Sequence, residues 1–295
     1  MQYLIDASVY VFRAYYSMPD DMVDDAGNPI NALYGFCRFL GDFMEQVRPE
    51  HIAVLFDESL SSSFRTEIYP EYKANRDPAP EELKRQFAQC RRFTKALGVL
   101  ETAHPRYEAD DLIGTLVTEG RSAGIPSTIV SRDKDLTQLV SKEDVFWDFA
   151  GKGKVTYDDI PAYFGVWPEQ IADFLALAGD SVDNIKGVPG VGRKTAIALL
   201  EHFGSLTDLY DNLDTVHEVN VRGAKTLGAK LEAHKEDALL ARQLTGIACD
   251  APVERPMSGL KPTAPDLGAI NALFDEANIG MALRRQAERV ADLVS

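Results

Sequence analysis

The chain opens on Gln2-Tyr3-Leu4-Ile5-Asp6, a short apolar run that ends in a carboxylate. The pattern returns at Ile52-Ala53-Val54-Leu55-Phe56-Asp57, and a third run, Ser127-Thr128-Ile129-Val130, leads into Ser131-Arg132-Asp133. Short apolar runs of this kind predict buried β-strands. A helical stripe lies between the first two runs and comprises Leu33, Phe36, Cys37, Leu40, Phe43, Met44 and Val47. Strand, helix and strand at this spacing predict a parallel α/β sheet.

Each of these predicted strands leads into a carboxylate. In a parallel sheet, ligands collect beyond the carboxyl ends of the strands. Asp6, Asp57 and Asp133 are therefore expected at one edge of the sheet, where we also expect the functional site.

Composition is that of an ordinary folded protein. The 295 residues are 45% hydrophobic and 26% charged, close to globular averages, and no apolar run approaches the ~20 residues of a membrane helix. Cys37, Cys90 and Cys249 lie far apart and no signal-peptide pattern opens the sequence, which favours a reducing cytoplasm. None of the five histidines has zinc-protease spacing, so a metal would be held by oxygen.

Charge is distributed unevenly. The net charge is −15, and residues 1–60 carry 3 basic and 10 acidic side chains, whereas residues 61–95 carry 8 and 5. An acidic chain is an unusual partner for nucleic acid. Acids that surround divalent cations, however, do not exclude a phosphate substrate. Charge alone favours an acidic surface and leaves both interpretations open.

The sequence divides into three parts. We expect an α/β domain over residues 1–160, in which residues 58–80 form an exposed loop and a helix then continues to about Leu97. Helical patterns dominate residues 161–250, with predicted helices over residues 168–178, 193–203 and 221–245. A proline-rich extended stretch and two short helices are expected in residues 251–295.

Acidic residues cluster where predicted elements begin or end. Taken singly, each cluster has an ordinary explanation, because acids are common at helix starts and in turns. Two carboxylates ~5 Å apart repel by ~3 kcal/mol at an effective dielectric near ~20, so a group of them in one hollow would need a cation. Oxygen ligands without His or Cys select Mg²⁺ or Mn²⁺, and two such ions fit phosphodiester hydrolysis. The candidate ligands are Asp6, Asp57, Glu108, Asp110, Asp111, Asp133, Asp135, Asp180 and Asp183.

A glycine-rich turn precedes a predicted helix in the second half. Before Arg193-Lys194-Thr195 stands the run Gly187-Val188-Pro189-Gly190-Val191-Gly192. Glycines let the backbone approach a phosphate, and the free N–H groups of a helix N-terminus can receive it. No strand precedes the turn and the Walker spacing is absent, which disfavours dinucleotide and P-loop sites. A plain connector between helices is the alternative.

These segments resemble the structure-specific 5′ nucleases, the 5′→3′ exonuclease and flap endonuclease family that includes the N-terminal nuclease domain of bacterial DNA polymerase I. The resemblance covers about residues 1–250. It rests on Leu4-Ile5-Asp6, Val54-Leu55-Phe56-Asp57, Phe64-Arg65, Tyr69-Pro70-Glu71-Tyr72-Lys73-Ala74-Asn75-Arg76, Tyr107-Glu108-Ala109-Asp110-Asp111, Asp133-Lys134-Asp135-Leu136, Gly179-Asp180 through Asp183-Asn184, and the glycine turn.

The resemblance implies a fold and a domain layout. The fold is α/β, with a central, mostly parallel sheet flanked by helices and a basic helical arch at about residues 61–97. A helix-three-turn-helix that binds duplex DNA around a potassium ion is implied for residues 161–250, and residues 251–295 are expected to pack back on the domain. The chain ends before any polymerase segment, so a stand-alone nuclease is expected.

The resemblance also implies residue roles. The nine carboxylates would arrange two Mg²⁺ ions, with Mn²⁺ as a substitute. Lys73 and Arg76 would contact the scissile phosphate and stabilise its developing charge, and Tyr72 would stack on the unpaired terminal base. Arg13 is a weaker phosphate-contact candidate. DNA contacts are further implied for Gly187, Val188, Gly190, Val191, Gly192, Arg193 and Lys194.

The expected activity is cleavage of DNA with a 5′ flap or free 5′ end on a duplex, in replication or repair, by a monomer without membrane association. The balance of exonuclease and flap cutting and the tolerance of an RNA strand stay open. One alternative is a catalytically silent junction-binding protein of the same fold, although a silent pocket would gain by losing its repelling acids. The other is a different phosphate enzyme, such as a ribonuclease or an aspartate-nucleophile phosphatase that uses Asp133-Lys134-Asp135, which leaves the glycine turn unexplained.

Overall fold

The computed structural model describes residues 1–58, 63–149, 151, 153–253 and 257–294. The strands in this part of the chain are β1 (Gln2–Asp6), β2 (Ile52–Asp57), β3 (Leu100–His104), β4 (Ser127–Val130), β5 (Val145–Asp148) and β6 (Gly153–Thr156). They form one sheet in the order β3-β2-β1-β4-β5-β6. Neighbouring strands are parallel, except that β5 and β6 are antiparallel.

The helices in chain order are α1 (Ala7–Ser17), α2 (Asn31–Val47), α3 (Phe64–Ile68), α4 (Glu81–Ala96), α5 (Ala109–Ser122), α6 (Ile160–Phe164), α7 (Ile171–Ala178), α8 (Arg193–Phe203), α9 (Leu206–Asp211), α10 (Ala224–Ala233), α11 (Lys235–Thr245), α12 (Leu267–Glu276) and α13 (Met281–Val294). Short 3₁₀ helices lie at Lys134–Leu139, Tyr157–Asp159, Pro168–Gln170, Leu213–Glu218 and Met257–Leu260. Within the described ranges, every helix is too short or too polar to cross a bilayer.

The sheet is wound in both directions from β1. The chain builds β2 and β3 on one side of β1 and then crosses to place β4 on the other. Ligands bind in the crevice at such a switch point, beyond the carboxyl ends of the strands. The predicted mostly parallel α/β fold is confirmed, and the strands predicted at the start of the chain, before Asp57 and before Ser131 all form.

Successive side chains of β1 and β2 point to opposite faces of the sheet and therefore contribute to two hydrophobic layers. Ile5 and Val54 contribute to one layer together with α1, α2, α4, α12 and α13. Leu4 and Leu55 contribute to the other, together with α5 and the helices of the second half. Because both faces are covered, the strands are apolar throughout rather than alternating with polar residues.

Helix α4 is part of the core, so the arch expected over residues 61–97 does not extend along α4. Leu83, Phe87, Cys90 and Phe93 are buried along one helical stripe, and α4 packs against α2 and α12. The expectation of an exposed loop over residues 58–80 is also wrong in part, because α3 forms there. Residues 59–62 of the predicted loop, and 61–62 of the predicted arch, lie outside the described residues.

The second half is helical, and α8 has the predicted bounds of Arg193 and Phe203. The pattern predicted as one stretch to Thr245 is two helices, since α10 ends at Ala233 and α11 begins at Lys235. Helices α12 and α13 return to the first half, where Phe274 stacks on Phe93 with ring centroids 5.7 Å apart.

Candidate active site

Two neighbouring strands end in supported carboxylates at the switch point. Asp6, at the end of β1, is 3% exposed and accepts a hydrogen bond from Ser131 Oγ at 2.7 Å. Asp57, at the end of β2, accepts from Ser8 Oγ at 2.6 Å and from the Ala109 N–H at 2.9 Å. The sequence expectation that strand ends carry carboxylates to one edge matches this geometry.

The loop after β4 and the first turn of α5 bring further acids to the same place. The Asp133 N–H donates to Ser131 Oγ at 2.9 Å, and Asp133 Oδ1 accepts from the Asp135 N–H at 3.0 Å. Asp110 follows the start of α5. Burial first, and then the charges of Asp133, Asp6, Asp57 and Glu108, raise the pKa of Asp110 well above its usual range.

The loop after α7 delivers Asp180 and Asp183. Gly179 has a φ of +82°, and a Cβ on Gly187 would stand 2.3 Å from the Gly179 nitrogen. The two glycines therefore allow a close backbone approach that closes the loop. Asp180 and Ile185 exchange both main-chain hydrogen bonds, at 2.9 and 2.7 Å.

One cleft gathers the acids of these loops. Its lining includes Glu108, Asp110, Asp135, Asp180 and Asp183. Burial, followed by repulsion from Asp133, Asp180 and Asp183, raises the pKa of Asp135 to about 7. Burial and the charge of Asp57 raise the pKa of Asp6 to about 7. The cleft therefore carries negative charge that its own cations do not neutralise.

Asp111, like Asp6, Asp57 and Asp133, is not among the residues that line this cleft, and it is paired with an arginine. Its side chain is fully buried, and its two oxygens accept from Arg65 Nη2 at 2.7 Å and Nη1 at 2.9 Å. The Glu108 and Ala248 N–H groups complete its hydrogen bonds at 3.0 and 2.9 Å. The expected role of Asp111 as a metal ligand is at odds with this geometry, because its lone pairs are engaged by protein donors.

Lys73 and Arg76 reach the acids from a turn between α3 and α4. Lys73 Nζ lies 2.8 Å from Glu108 Oε2 and 3.7 Å from Asp183 Oδ2, and Arg76 forms an ion pair with Asp183. Burial alone would raise the pKa of Glu108, but Lys73 and then Arg65 bring it below its usual value. Both cations thus pair with acids of the predicted set, and their contact with a phosphate stays a prediction.

Tyr72 is placed differently from the expectation. The residue is 4% exposed, and its hydroxyl lies 3.2 Å from Glu108 Oε2 and 3.1 Å from Asp183 Oδ2. A ring packed in this way does not present its face to a base. Stacking on DNA by Tyr72 is therefore not supported in this conformation.

The acids supply the oxygen ligands that divalent cations prefer, but in this conformation they are not arranged around one ion. No three His, Cys, Asp or Glu side chains among the described residues are positioned to hold one metal ion. Lys73 and Arg76 instead pair with Glu108 and Asp183. The donor set consists of oxygen alone, which suits Mg²⁺ or Mn²⁺. A cation in the site would favour the charged forms of Asp6 and Asp135, whose pKa values are raised by burial and by neighbouring acids.

The glycine turn combines buried and open positions. Val188 and Val191 are buried at 2% and 4% exposure, so only their main-chain groups could meet a ligand. Gly190 has a φ of +84°, and a Cβ on Gly192 would meet nothing within 4 Å. The turn therefore presents open backbone at the start of α8, as a phosphate contact requires.

Two basic residues near the turn depart from the sequence analysis. Arg193 Nη2 donates to the carbonyl oxygens of Tyr163 and Phe164 at 2.8 and 2.7 Å, so this guanidinium fastens the end of α6. Lys230, which the sequence did not single out, places Nζ 3.5 Å from the position of a Cβ on Gly190. Lys230 lies on α10, and no local motif links it to the turn.

The remaining two DNA-contact candidates are peripheral to the cleft. Lys194 is exposed in the first turn of α8. Arg13 lies 4.0 Å from Asp148 Oδ1 at the end of β5, on the side of the sheet away from β2. Neither residue is among those that line the cleft.

Family models match both halves of the chain. Residues 1–164 match the 5′-3′ exonuclease N-terminal resolvase-like domain, and residues 166–267 match the 5′-3′ exonuclease C-terminal SAM fold. The chain belongs to the 5′-3′ exonuclease family, which confirms the resemblance seen in the sequence.

Relatives and solved structures agree with this assignment. The chain is 40% identical to DNA polymerase I of Pseudomonas aeruginosa over 274 residues, covering 92% of the chain and 30% of the relative. It is 36% identical to DNA polymerase I of Bacillus subtilis, covering 98% of the chain and 32% of the relative. It therefore spans about a third of the length of these relatives.

Two solved structures share the fold at low sequence identity. T5 5′-exonuclease with bound zinc matches with a TM-score of 0.68 and 20% identity, covering 100% of this chain and 99% of that one. The catalytic core of Rad2 in complex with DNA substrate matches with a TM-score of 0.65 and 14% identity, covering 100% and 92%. Both matches extend over the sheet and the helical second half.

Proposed function

We propose that this chain is a Mg²⁺-dependent 5′ nuclease that hydrolyses phosphodiester bonds in DNA. The observation that carries the proposal is the group of carboxylates at the switch point, in which burial and mutual repulsion raise the pKa values of Asp6, Asp110 and Asp135. Asp6, Asp57, Glu108, Asp110, Asp133, Asp135, Asp180 and Asp183 would hold the ions. Bound magnesium supplies Lewis-acid stabilisation of the attacking and leaving oxygens.

The residues of the chain orient and neutralise the reacting phosphate. Ser131 and Ser8 fix the carboxylates of Asp6 and Asp57 by hydrogen bonds. Lys73 and Arg76 now pair with acids of the cleft, and a bound cation would free both to donate to phosphate oxygens. Fixed positive charge at that point stabilises the negative charge that develops on the phosphate.

The substrate proposed is a duplex with a 5′ flap or a free 5′ end. The open backbone at Gly190 and Gly192 would hold the sugar-phosphate backbone without reading bases, and Lys194 and Lys230 add charge beside it. Support comes from the family and from Rad2, whose core was solved with DNA substrate. The potassium ion implied at this turn stays a prediction.

Cleavage of a labelled 5′-flap DNA with and without Mg²⁺ tests the proposal. We expect the parent protein to cut near the junction, and Asp133→Ala and Asp180→Ala to lose cleavage while duplex binding persists. Asp158→Ala removes an exposed acid outside the cleft and serves as the control. Normal turnover by both cleft variants would refute the metal assignment, and binding by the parent without any cleavage would favour a silent junction-binding protein.

A further inference from the structure

Five consecutive residues at the end of α11 are held by the side chains of Arg65, Asp111 and Gln138. Arg65 Nε donates to the Leu244 carbonyl at 2.9 Å, and Arg65 Nη2 donates to the Gly246 carbonyl at 2.8 Å. Gln138 donates to the Thr245 carbonyl at 3.2 Å and accepts from the Ile247 N–H at 3.1 Å. The Ala248 N–H donates to Asp111. We call Arg65, Asp111 and Gln138 the joint.

The same side chains touch the residues that carry candidate metal ligands. Arg65 Nη1 lies 3.7 Å from Glu108 Oε2, and Asp111 accepts from the Glu108 N–H at 3.0 Å. Gln138 Nε2 also donates to the Asp135 carbonyl at 3.1 Å. One side of the joint therefore positions Glu108 and the other positions Asp135.

Helix α11 is in turn fixed to the helices around the glycine turn. Thr245 Oγ1 donates to the Ala172 carbonyl on α7 at 2.8 Å, and Arg242 forms an ion pair with Asp173 on the same helix. Helix α7 leads into Gly179 and also packs on α8. The α7–α11 pair thus links the DNA-contact turn to the joint through packed helices and hydrogen bonds.

We infer that the joint couples the helical half to the cleft. Through it, the position of the helical half sets the geometry of Glu108 and Asp135, so that duplex bound at the glycine turn promotes cleavage in the cleft. Arg65, Asp111 and Gln138 are then positioning residues for the reaction. The inference rests on the proposed function and adds a role that goes beyond holding the fold. The burial of the Arg65–Asp111 ion pair, whose residues are 3% and 0% exposed, does not carry this inference, because a buried ion pair is weak evidence even for stability.

The test compares two substrates that differ in their use of the helical half. One is a 5′-flap duplex, and the other is a single strand too short to reach the glycine turn from the cleft. For Gln138→Met and Arg65→Lys we expect the single-turnover rate on the duplex to fall by about tenfold or more, the range seen for residues that orient metal ligands. The rate on the short strand should fall less, so that the ratio of the duplex rate to the short-strand rate drops by about threefold or more, while the Kd for duplex changes by less than about threefold.

Arg121→Lys is the matched control. Arg121 also donates to a main-chain carbonyl, that of Leu139 at 2.9 Å, and to a buried acid, Asp144 at 2.8 Å, but it does not contact residues 244–248. It should leave the ratio of the two rates unchanged. If Gln138→Met and Arg65→Lys keep the parent ratio, or slow both substrates equally, the inference is wrong.

A second measurement separates this inference from the proposed function. Hydrogen exchange in EDTA should show that duplex binding protects amides in residues 108–111 and 134–139 of the parent, and that Gln138→Met loses this protection. If the parent shows the protection but never cleaves DNA, the proposed function fails while the coupling stands. Equal protection in parent and Gln138→Met would overturn the coupling even in an active nuclease.

Discussion

Replacing Asp6 with Asn should stabilise the protein when no divalent cation is present. Asp6 is 3% exposed, and burial followed by repulsion from Asp57 raises its pKa from the usual 3.8 to about 7. A carboxyl whose pKa is higher in the folded state destabilises that state increasingly as pH rises above the unfolded pKa, and the full effect is reached above the folded pKa. Asn has no such charge, so the variant escapes the penalty.

The magnitude follows from the two pKa values. The complete penalty corresponds to ~4 kcal/mol at 1.36 kcal/mol per pKa unit, and about half of it, ~2 kcal/mol, develops between pH ~5.5 and pH ~8. Asp6→Asn should therefore exceed the parent in unfolding free energy by ~2 kcal/mol more at pH ~8 than at pH ~5.5. Urea unfolding of protein treated with EDTA, at both pH values, measures the difference.

Asp144→Asn is the matched control for this experiment. Asp144 is equally buried at 3% exposure, but hydrogen bonds from Ser141, Arg121 and the Ser127 N–H outweigh burial and lower its pKa. Its stabilising effect is present above the unfolded pKa and is lost only at lower pH, so this variant should lose the same amount at both pH values. Equal effects of Asp6→Asn at both pH values, or a less stable variant at the higher pH, would refute the argument. Added Mg²⁺ should stabilise the parent more than the variant.

Three further predictions concern the glycine turn, Lys230 beside it, and Lys73 at the cleft. Gly187→Ala should lower the unfolding free energy by ~1–3 kcal/mol, because its Cβ would meet the Gly179 nitrogen at 2.3 Å. Gly192→Ala, with open space around its Cβ, should leave urea unfolding unchanged but weaken duplex binding. A larger loss of stability in Gly192→Ala than in Gly187→Ala would contradict the assignment. Lys230→Ala should weaken duplex binding and reduce the slope of log K against log salt by about 1 in a fluorescence titration, whereas an unchanged slope would exclude a phosphate contact. Lys73→Ala should reduce the single-turnover cleavage rate by ~10²-fold with little change in Kd, and equal rates in quench-flow would remove Lys73 from the reaction.

Local sequence was sufficient to predict three of the six strands of the described sheet and most of the acids at its edge. Runs such as Ile52–Asp57 combine an apolar strand with a terminal carboxylate, and parallel pairing then brings the ends together. The close approach of Gly179 and Gly187 was not predicted, since a glycine offers the same signal for a phosphate contact as for a tight backbone contact.

The fate of individual side chains depended on partners distant in sequence. Asp111 is paired with Arg65, 46 residues earlier, and is also bonded to Ala248, 137 residues later, so its spacing beside Asp110 could not show that it turns away from the cleft. Tyr72 lies in an apparently polar loop, yet its hydroxyl reaches Asp183 across 111 residues. By contrast, the spacing of Leu83, Phe87, Cys90 and Phe93 indicates a buried face on α4. The basic residues between them led instead to the prediction of an exposed arch.

The return of α12 to the first half has a practical consequence for fragments of this protein. The family match ends at residue 267, but Ile270, Leu273 and Phe274 beyond it are at most 1% exposed and fill the layer beneath α4. A fragment trimmed to the matched region would uncover that apolar surface and favour aggregation over expression in native form. Domain boundaries chosen for recombinant work should therefore retain α12 and α13.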